Sequence, residues 1–176
     1  MIEADDGSRI EVRPGRREDA PQAARLWLES AREHAAYDAV YEPSLDAEKM
    51  MRNFLADLSS GGHTFLFVAC VPDSERDGTE RVVGFVSGEL REGSPTFRPR
   101  SWASVDDVYV TPAYRSFGIG MNLMHRVRNW ALERGTSGVS LQVATGNRRA
   151  QDFYRKLDFR AVSIYEVLEF SAPEDA

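Results

Sequence analysis

Apolar residues recur along this chain with two different spacings, and the changes between them predict its secondary structure. Apolar residues three and four positions apart, typical of amphipathic helices, mark four stretches. These are residues 23–31, 50–58, 119–134 and 148–156. Alternating or continuous apolar residues, typical of strands, mark residues 10–12, 64–71, 81–90, 103–110, 139–143 and 159–170, the last as one or two strands. This order of strands and helices predicts an α/β fold with a mixed sheet.

Residues that favour turns separate these elements without forming a domain linker. Asp19 or a neighbour is placed to cap the first helix, and Gly61-Gly62 to end the second. Asp77-Gly78 favours the turn of a hairpin. Soft segments are expected at residues 1–8, 72–80, 91–100 and after 170. We therefore expect one domain over residues 9–170, between a flexible N-terminus and a short tail at residues 171–176.

The composition narrows the class of protein. The 176 residues include 22 basic and 28 acidic side chains, a formal charge of −6, and 42% are hydrophobic. This balance is globular and disfavours a nucleic-acid binder, which normally displays a basic face. A membrane role is not expected, because no basic amphipathic arm and no apolar run near ~20 residues are present, and the polar start is unlike a signal peptide. The lone Cys70 excludes an internal disulfide and fits a reducing cytoplasm, where we expect the protein to act.

A strand that runs into a glycine-containing loop carries the clearest candidate chemistry. Residues 105–121 read VDDVYVTPAYRSFGIGM, so Gly118 and Gly120 stand where the loop becomes a helix. Glycines there leave backbone N–H groups unobstructed, and these amides together with the helix dipole suit a pyrophosphate. The alternative is that both glycines only form a tight turn and allow close packing. The spacing fits neither a P-loop nor a dinucleotide fingerprint, because Gly-Lys-Ser/Thr and a third glycine are absent.

These residues resemble the motifs of a known family. Arg115-x-x-Gly118-x-Gly120 after a Val-x-Pro strand end is similar to the acetyl-CoA motif, Q/R-x-x-G-x-G/A, of the GCN5-related N-acetyltransferase (GNAT) superfamily. The run NRRAQDFYRKLDF, from Asn147, resembles the second signature, N-x-x-A-x-x-F/Y-Y-x-x-x-G-F, with Asp158 where glycine is usual. The resemblance covers residues 9–170, is strongest over 103–159, and is nearest the diamine and polyamine acetyltransferase branch. It implies the GNAT fold, a twisted mixed sheet of about six or seven strands with about four flanking helices.

The resemblance also implies acetyl-CoA as cosubstrate and a place for it. The family's fourth and fifth strands splay apart, here the strand ending at Val110 and the strand around residues 139–145, and the pantetheine arm lies between them. The expected cofactor-binding residues are Val108, Tyr109, Val110, Arg115, Ser116, Phe117, Gly118, Ile119, Gly120, Met121 and Asn147. Arg115 would hold either the loop or a phosphate, and Arg148 or Arg149 would reach the outer phosphate or stay solvated.

Tyr154 is expected from the resemblance to be the hydrogen-bond donor or general acid at the departing sulfur. A phenol with a reference pKa of ~10 can protonate a thiolate whose acid has a pKa of ~8.5. The alternative is that Tyr154 joins Phe153 in an aromatic core contact.

A base is also needed, because an alkylamine must lose a proton before it attacks. Related enzymes often keep a carboxylate beside the pantetheine arm, so Asp106 is our choice and Glu89 the second, with burial raising the pKa or ordered water relaying the proton. Alternatively, these carboxylates only attract a cation. If side chains alternate strictly along the predicted strand of residues 103–110, one face carries Ser104, Asp106, Val108 and Val110. The other face then carries Asp107 and Tyr109.

Direct transfer in a ternary complex is favoured over an acyl-enzyme. Cys70 lies in the apolar run FLFVACV, which predicts a buried strand, and no Gly-x-Ser-x-Gly elbow exists. We expect no metal, because His34, His63 and His125 fall in separate elements without metal-ligand spacing.

The charge distribution bears on the acceptor. Residues 101–176 carry nine basic and nine acidic side chains, so the whole net charge lies in the first hundred residues. In the family the first two helices and their connection commonly line the acceptor groove. Here residues 29–48 offer six carboxylates, with Tyr37 and Tyr41 interleaved and Arg32 as the one basic residue. This favours a small cationic amine, although a solvated helix face would look the same.

Other functions and a partner stay open. The acceptor can instead be a protein or peptide amine or an antibiotic amine, and the donor a longer acyl-CoA. The chain can also be an acyl-CoA-binding module without turnover. Family members are often homodimers, and the end strand around residues 164–170 is where a second copy would pair or swap.

Overall fold

The chain forms a six-stranded sheet within residues 2–3, 9–59, 61–73 and 78–170, the parts that this computed structural model describes. The strands follow chain order across the sheet: β1 (Ile2–Glu3), β2 (Arg9–Pro14), β3 (Thr64–Pro72), β4 (Glu80–Glu92), β5 (Ser101–Val110) and β6 (Gly138–Leu141). Neighbours from β1 to β5 are antiparallel, and β5 and β6 are parallel. The predicted mixed sheet is confirmed, at the lower end of the expected strand number.

Helices cover both faces of this sheet. They are α1 (Ala20–Ala35), α2 (Ala47–Leu58), α3 (Ile119–Glu133) and α4 (Arg148–Arg155). On the α1 side, Leu26 and Leu55 pack with Phe85 of β4, and on the α3 side Leu123 and Tyr154 belong to one core with Val86. The central strands read as continuous apolar runs because both of their faces are covered. None of the helices in the described ranges combines the length and apolar character needed to cross a membrane.

The start of α1 differs from its sequence signal. Asp19 occupies the N-cap position but makes no side-chain hydrogen bond to the helix. Its buried carboxylate instead accepts hydrogen bonds from Arg13 at 2.7 and 3.0 Å and from the N–H of Arg16 at 2.7 Å. An ion pair to β2 therefore takes the place of the expected cap. At the other boundaries, α2 ends at Leu58, before Gly61 and Gly62, and the Asp77-Gly78 turn lies partly outside the described residues.

The predicted closing strand over residues 159–170 is wrong. Phe159 packs against the α3-side core, but residues 160–170 form no strand and are all exposed. An alternating apolar pattern shows that a segment suits a strand, whereas a strand forms only beside a partner that takes up its main-chain hydrogen bonds. No strand of the described sheet pairs with this segment.

Candidate active site

The sheet opens between β5 and β6. The two strands pair over only four residues each, from Trp102 to Val105 on β5, and β6 ends at Leu141 although the apolar pattern continues to Val143. β5 runs on to Val110, paired with β4 on its other side. Beyond Val105, one main-chain edge of β5 therefore faces the opening without a partner strand. The opening has the position of the predicted splay.

A β-bulge lies where the opening begins. In the register between β4 and β5, Asp107 opposes Ser87 and Val105 opposes Gly88, so Asp106 is the extra residue. An extra residue shifts the side-chain alternation by one position. The apolar β5 side chains in the α3-side core are consequently Ala103, Val105, Val108 and Val110, whereas Tyr109 lies in the α1-side core. Strict alternation, which puts Ser104 and Asp106 with the two later valines, is therefore wrong at this point.

Main-chain direction decides which β5 groups face the opening. The N–H of Thr111 donates to the carbonyl oxygen of Val83 on β4 at 2.9 Å. Because main-chain groups alternate sides along a strand, Tyr109 faces β4, while Val108 and Val110 face the opening. Two of the three β5 residues expected to pair with the pantetheine arm thus present suitable groups, and the main chain of Tyr109 points the other way.

The start of α3 presents free amides. Gly118 is the N-cap residue, with φ 77°, and no side chain caps the helix. The N–H groups of the first helical turn, from Ile119, Gly120 and Met121, are therefore available to a ligand. Ser116 in the same loop also has a positive φ of 77°.

The two motif glycines serve different purposes. A Cβ on Gly118 would meet only Asn122 Nδ2, at 4.0 Å, but the left-handed backbone disfavours any side chain there. A Cβ on Gly120 would lie 3.3 Å from the ring of Phe153 on α4. Gly118 thus fits both the tight-turn and the anion-cradle interpretations, and Gly120 also allows α3 to pack closely on α4.

Arg115 ties the glycine loop to α1. Its Nη2 donates to both carboxylate oxygens of Glu33, at 2.8 and 2.9 Å, and its Nε donates to the Val110 carbonyl at 2.8 Å. The Tyr109 hydroxyl donates to the same Glu33 carboxylate at 2.8 Å, and the Arg115 guanidinium lies 5.2 Å from the centre of the Tyr109 ring. Of the two roles expected for Arg115, these contacts favour holding the loop.

Tyr154 combines a packed ring with an available hydroxyl. The residue is 8% exposed, and its ring contacts Phe153 and Phe159 with centroids 5.3 and 5.7 Å away. Burial raises the pKa of Tyr154 to about 12. The Tyr154 oxygen has no hydrogen-bond partner within the described ranges. Among the described residues, the Thr111 hydroxyl is the only side-chain group that is both unpaired and sealed from solvent, so the Tyr154 oxygen must reach solvent. The core contact and the donor role are therefore compatible.

Asp106 carries a carboxylate at the mouth of the opening. Arg91 bridges it to Glu89, with Nη2 2.9 Å from Asp106 Oδ1 and Nε 2.8 Å from Glu89 Oε1. The side chain is 23% exposed. Burial raises the pKa of Asp106 to about 6, although Arg91 acts in the opposite direction. The structure thus brings the two candidate bases together around one guanidinium.

Asp107 is a second carboxylate, which the sequence did not single out as a site residue. It accepts hydrogen bonds from Trp27 Nε1 on α1 at 2.8 Å and from the Ser87 hydroxyl at 3.3 Å. Burial raises the pKa of Asp107, and both hydrogen bonds oppose that shift. Trp27 is the sequence feature that could have pointed to this contact, because a tryptophan on the packed face of a helix needs a partner for its indole N–H.

The connection between α1 and α2 closes the far side of the site. Tyr37 lies so near the loop after β6 that a Cβ on Gly146 would be 3.2 Å from it. His34 contacts both Tyr37 and Tyr41 with ring centroids 5.7 Å apart. The acidic side chains of this region are all exposed: Glu29, Glu33, Asp38, Glu42, Asp46 and Glu48. An aromatic and acidic wall thus stands beside the loop that precedes α4.

Asn147 uses one of its polar groups structurally. Its Oδ1 caps α4 by accepting from the N–H of Ala150 at 3.0 Å, which leaves Nδ2 for a ligand. Arg148 and Arg149 are exposed on the first turn of α4.

Comparison with known proteins identifies the family. The model of the acetyltransferase (GNAT) family matches residues 23–159, most of the chain. This chain belongs to the GNAT family. A curated N-acetyltransferase from Archaeoglobus fulgidus, itself uncharacterised, is 30% identical over 151 residues, 86% of this chain and 93% of that protein. The thialysine N-epsilon-acetyltransferase of Bos taurus is 42% identical over 53 residues, only 30% of this chain and 31% of that enzyme.

Solved structures share the GNAT fold of this enzyme. A variant of the BH1408 protein from Bacillus halodurans superposes with a TM-score of 0.73 at 20% identity, covering 92% of this chain and 99% of that one. Aminoglycoside N-acetyltransferase AAC(6')-Iy in complex with CoA gives a TM-score of 0.65 at 16% identity, covering 95% and 97%. The predicted fold and the assignment as an acyltransferase are confirmed.

The thiol of this acetyltransferase is not a candidate nucleophile. Cys70 is buried in β3, and burial raises the pKa of its thiol to about 12, which makes it a poor nucleophile. Within the described ranges, no group of three or more His, Cys, Asp or Glu side chains could hold a metal ion.

Proposed function

We propose that this GNAT enzyme transfers the acetyl group of acetyl-CoA directly to the primary amine of a small cationic acceptor. The observation that carries the proposal is Asp106, a carboxylate on the bulge at the mouth of the opening with a pKa raised to about 6. Glu89, which shares Arg91 with Asp106, adds a second carboxylate at the same place. A cluster of this kind attracts an ammonium ion and can then take its proton.

The chain's residues fit a coenzyme A thioester. The left-handed Gly118 leaves open space beside the uncapped amides of α3, a cradle that a side chain would fill. The main-chain groups of Val108 and the N–H of Val110 suit the amide groups of the pantetheine arm, whereas the Val110 carbonyl already accepts from Arg115. Asn147 Nδ2 and the exposed Arg148 and Arg149 lie at the start of α4 as further donors. The thioester supplies the acetyl group, and the protein supplies positions, charges and protons.

Tyr154 and Asp106 divide the proton transfers. The Tyr154 hydroxyl, kept protonated by burial, donates to the leaving sulfur, while Asp106 accepts a proton from the acceptor's ammonium group directly or through water. The buried thiol of Cys70 takes no part, which supports direct transfer over an acyl-enzyme. We include a cytoplasmic location in this proposal, because a reduced Cys70 fits it. We also include a homodimer.

The pH dependence tests Asp106. Because the carboxylate must be ionised to accept a proton from the ammonium group, kcat/KM calculated per total acceptor, nearly all of which is ammonium near neutral pH, is expected to fall in an acidic limb that begins as the pH drops through about 6. Asp106→Asn is expected to lower kcat roughly 100-fold and to remove the inflection at the start of this limb. Glu89→Gln is the matched control, since Glu89 shares Arg91 with Asp106. A limb that survives in Asp106→Asn and disappears in Glu89→Gln would assign the base to Glu89.

The acceptor class is tested by free-thiol release from acetyl-CoA across a panel of diamines and polyamines, aminoglycosides, amino acids and peptides. We expect the highest kcat/KM for small amines with two or more positive charges, because the acidic wall of α1 and its connection favours cations. The shared sequence with thialysine N-epsilon-acetyltransferases supports the inclusion of basic amino acids in the panel. Turnover confined to neutral or acidic acceptors would contradict the proposal. Acetyl-CoA binding without thiol release from any acceptor would indicate a non-catalytic module.

A further inference from the structure

The glycine loop, residues 115–118, adopts a conformation that its own main chain does not hold. Ser116 and Gly118 both have a left-handed backbone, with φ 77°. A left-handed serine is strained, and strain of this kind persists only where the surrounding contacts impose it. Within the described ranges, no group accepts a hydrogen bond from the main-chain N–H of residues 116–118. The shape of this loop therefore depends on contacts made by side chains.

Arg115 supplies the polar part of this support. Its Nε donates to the carbonyl oxygen of Val110 at the end of β5, and its Nη2 donates to both carboxylate oxygens of Glu33 on α1. One guanidinium thus connects the first residue of the loop to two separate elements. The contact with Glu33 is the charged one of the two, and charge-assisted hydrogen bonds are the stronger kind.

The Glu33 carboxylate is itself held in place. The hydroxyl of Tyr109 donates to its Oε1 at 2.8 Å, and the Tyr109 ring belongs to the α1-side core. Burial raises the pKa of Tyr109, and the hydrogen bond to Glu33 raises it further, so the phenol remains a donor. The carboxylate therefore connects Arg115 to a residue that the sheet fixes.

We infer, on the basis of the proposed function, that Glu33 is a positioning residue for acetyl-CoA: through Arg115, its carboxylate holds the glycine loop so that the first amides of α3 face the diphosphate. The charge of Glu33 by itself acts in the opposite direction, because a carboxylate repels a diphosphate. Neutralising Glu33 therefore weakens acetyl-CoA binding if Glu33 positions the loop, and strengthens it if only charge matters.

Calorimetric titration with acetyl-CoA, without any acceptor amine, separates these two effects. Glu33→Gln keeps the shape of the side chain but removes its charge, and the Kd is expected to rise roughly fivefold. Glu29→Gln is the matched control. Glu29 is an exposed acid on the same helix whose charge also acts on Tyr109, but Arg115 makes no hydrogen bond to it, so the Kd is expected to stay the same or to fall. An unchanged or lower Kd in Glu33→Gln would overturn the inference.

A double-mutant cycle tests whether Glu33 acts through Arg115. Arg115→Gln alone is expected to raise the Kd to a similar extent. Adding Glu33→Gln to that variant is then expected to change the Kd by less than about twofold, because the bond between the two residues is already lost. Independent effects that add in the double variant would contradict this route. Weaker binding in Arg115→Gln combined with tighter binding in Glu33→Gln would mean that Arg115 contacts a phosphate instead.

Unfolding in urea separates positioning from a merely structural role. The side chains of Arg115 and Glu33 are 23% and 42% exposed, and an ion pair with this exposure contributes little to stability. Glu33→Gln is therefore expected to keep the wild-type midpoint, and a lower midpoint together with weaker binding would overturn the inference. Binding of acetyl-CoA by the wild type tests the proposed function, whereas the ratio of the Kd values of variant and wild type tests the role of Glu33.

Discussion

Replacing Gly118 by alanine is expected to weaken acetyl-CoA binding roughly tenfold or more, about the value of one charge-assisted hydrogen bond. The backbone of Gly118 is left-handed, and the space where a Cβ would project is open except for Asn122 Nδ2 at 4.0 Å. That space lies beside the uncapped amides of α3, so a methyl group there would hold a diphosphate away from them. Isothermal titration calorimetry with acetyl-CoA measures the change in Kd.

Gly135 provides a matched control at the other end of the same helix. It also has a left-handed backbone, with φ 64°, and a Cβ there would meet nothing within 4 Å. Both Gly118→Ala and Gly135→Ala are expected to lose about 1 kcal/mol of unfolding free energy through backbone strain, but only the first to lose affinity. Equal affinities of the two variants for acetyl-CoA would contradict the placement of the diphosphate at the glycine loop. Gly120 is a less clear test, because its Cβ would also press on Phe153.

Tyr154→Phe is expected to lower kcat roughly 100-fold, the usual contribution of a positioned general acid, while the Kd for acetyl-CoA stays unchanged. The substitution removes only the hydroxyl, so the ring contacts with Phe153 and Phe159 persist and the fold is preserved. Because the pKa of Tyr154 is raised to about 12, the phenol stays protonated across the physiological range. Its loss therefore removes a donor at every pH tested.

Steady-state thiol release and calorimetry together separate catalysis from binding. Tyr165→Phe removes a phenol hydroxyl from an exposed position and is expected to leave kcat unchanged. If Tyr154→Phe matches the wild type in kcat, Tyr154 is only a core residue. If its affinity for acetyl-CoA falls together with kcat, the hydroxyl binds the cofactor instead of assisting the leaving sulfur.

The sequence was sufficient for the parts of the fold that depend on local pattern. Apolar spacing located α1 to α4 and the strands β2 to β6, because each of these elements turns a continuous apolar face toward a core. The glycine motif also located the start of a helix correctly, since Gly118 is the N-cap residue of α3.

Features that depend on pairing between distant segments could not be read from the sequence. The bulge at Asp106 exists because β4 and β5 change register at Gly88, and nothing in the β5 sequence marks it. The bonds from Trp27 to Asp107 and from Arg115 to Glu33 join residues 80 and 82 positions apart. Residues 160–170 show the same limit, because their alternation indicates a strand, whereas the described sheet gives them no partner strand.

The contact between Arg115 and Glu33 has a consequence for how such an enzyme can diverge. Under the proposed function Glu33 belongs to the acceptor side, and its carboxylate also anchors Arg115 in the loop proposed to hold the donor. A substitution at position 33 that lets the enzyme accept a different amine would also weaken its binding of the thioester. Compensating changes at position 115 are then expected to accompany each such shift, so that the two positions vary together among descendants.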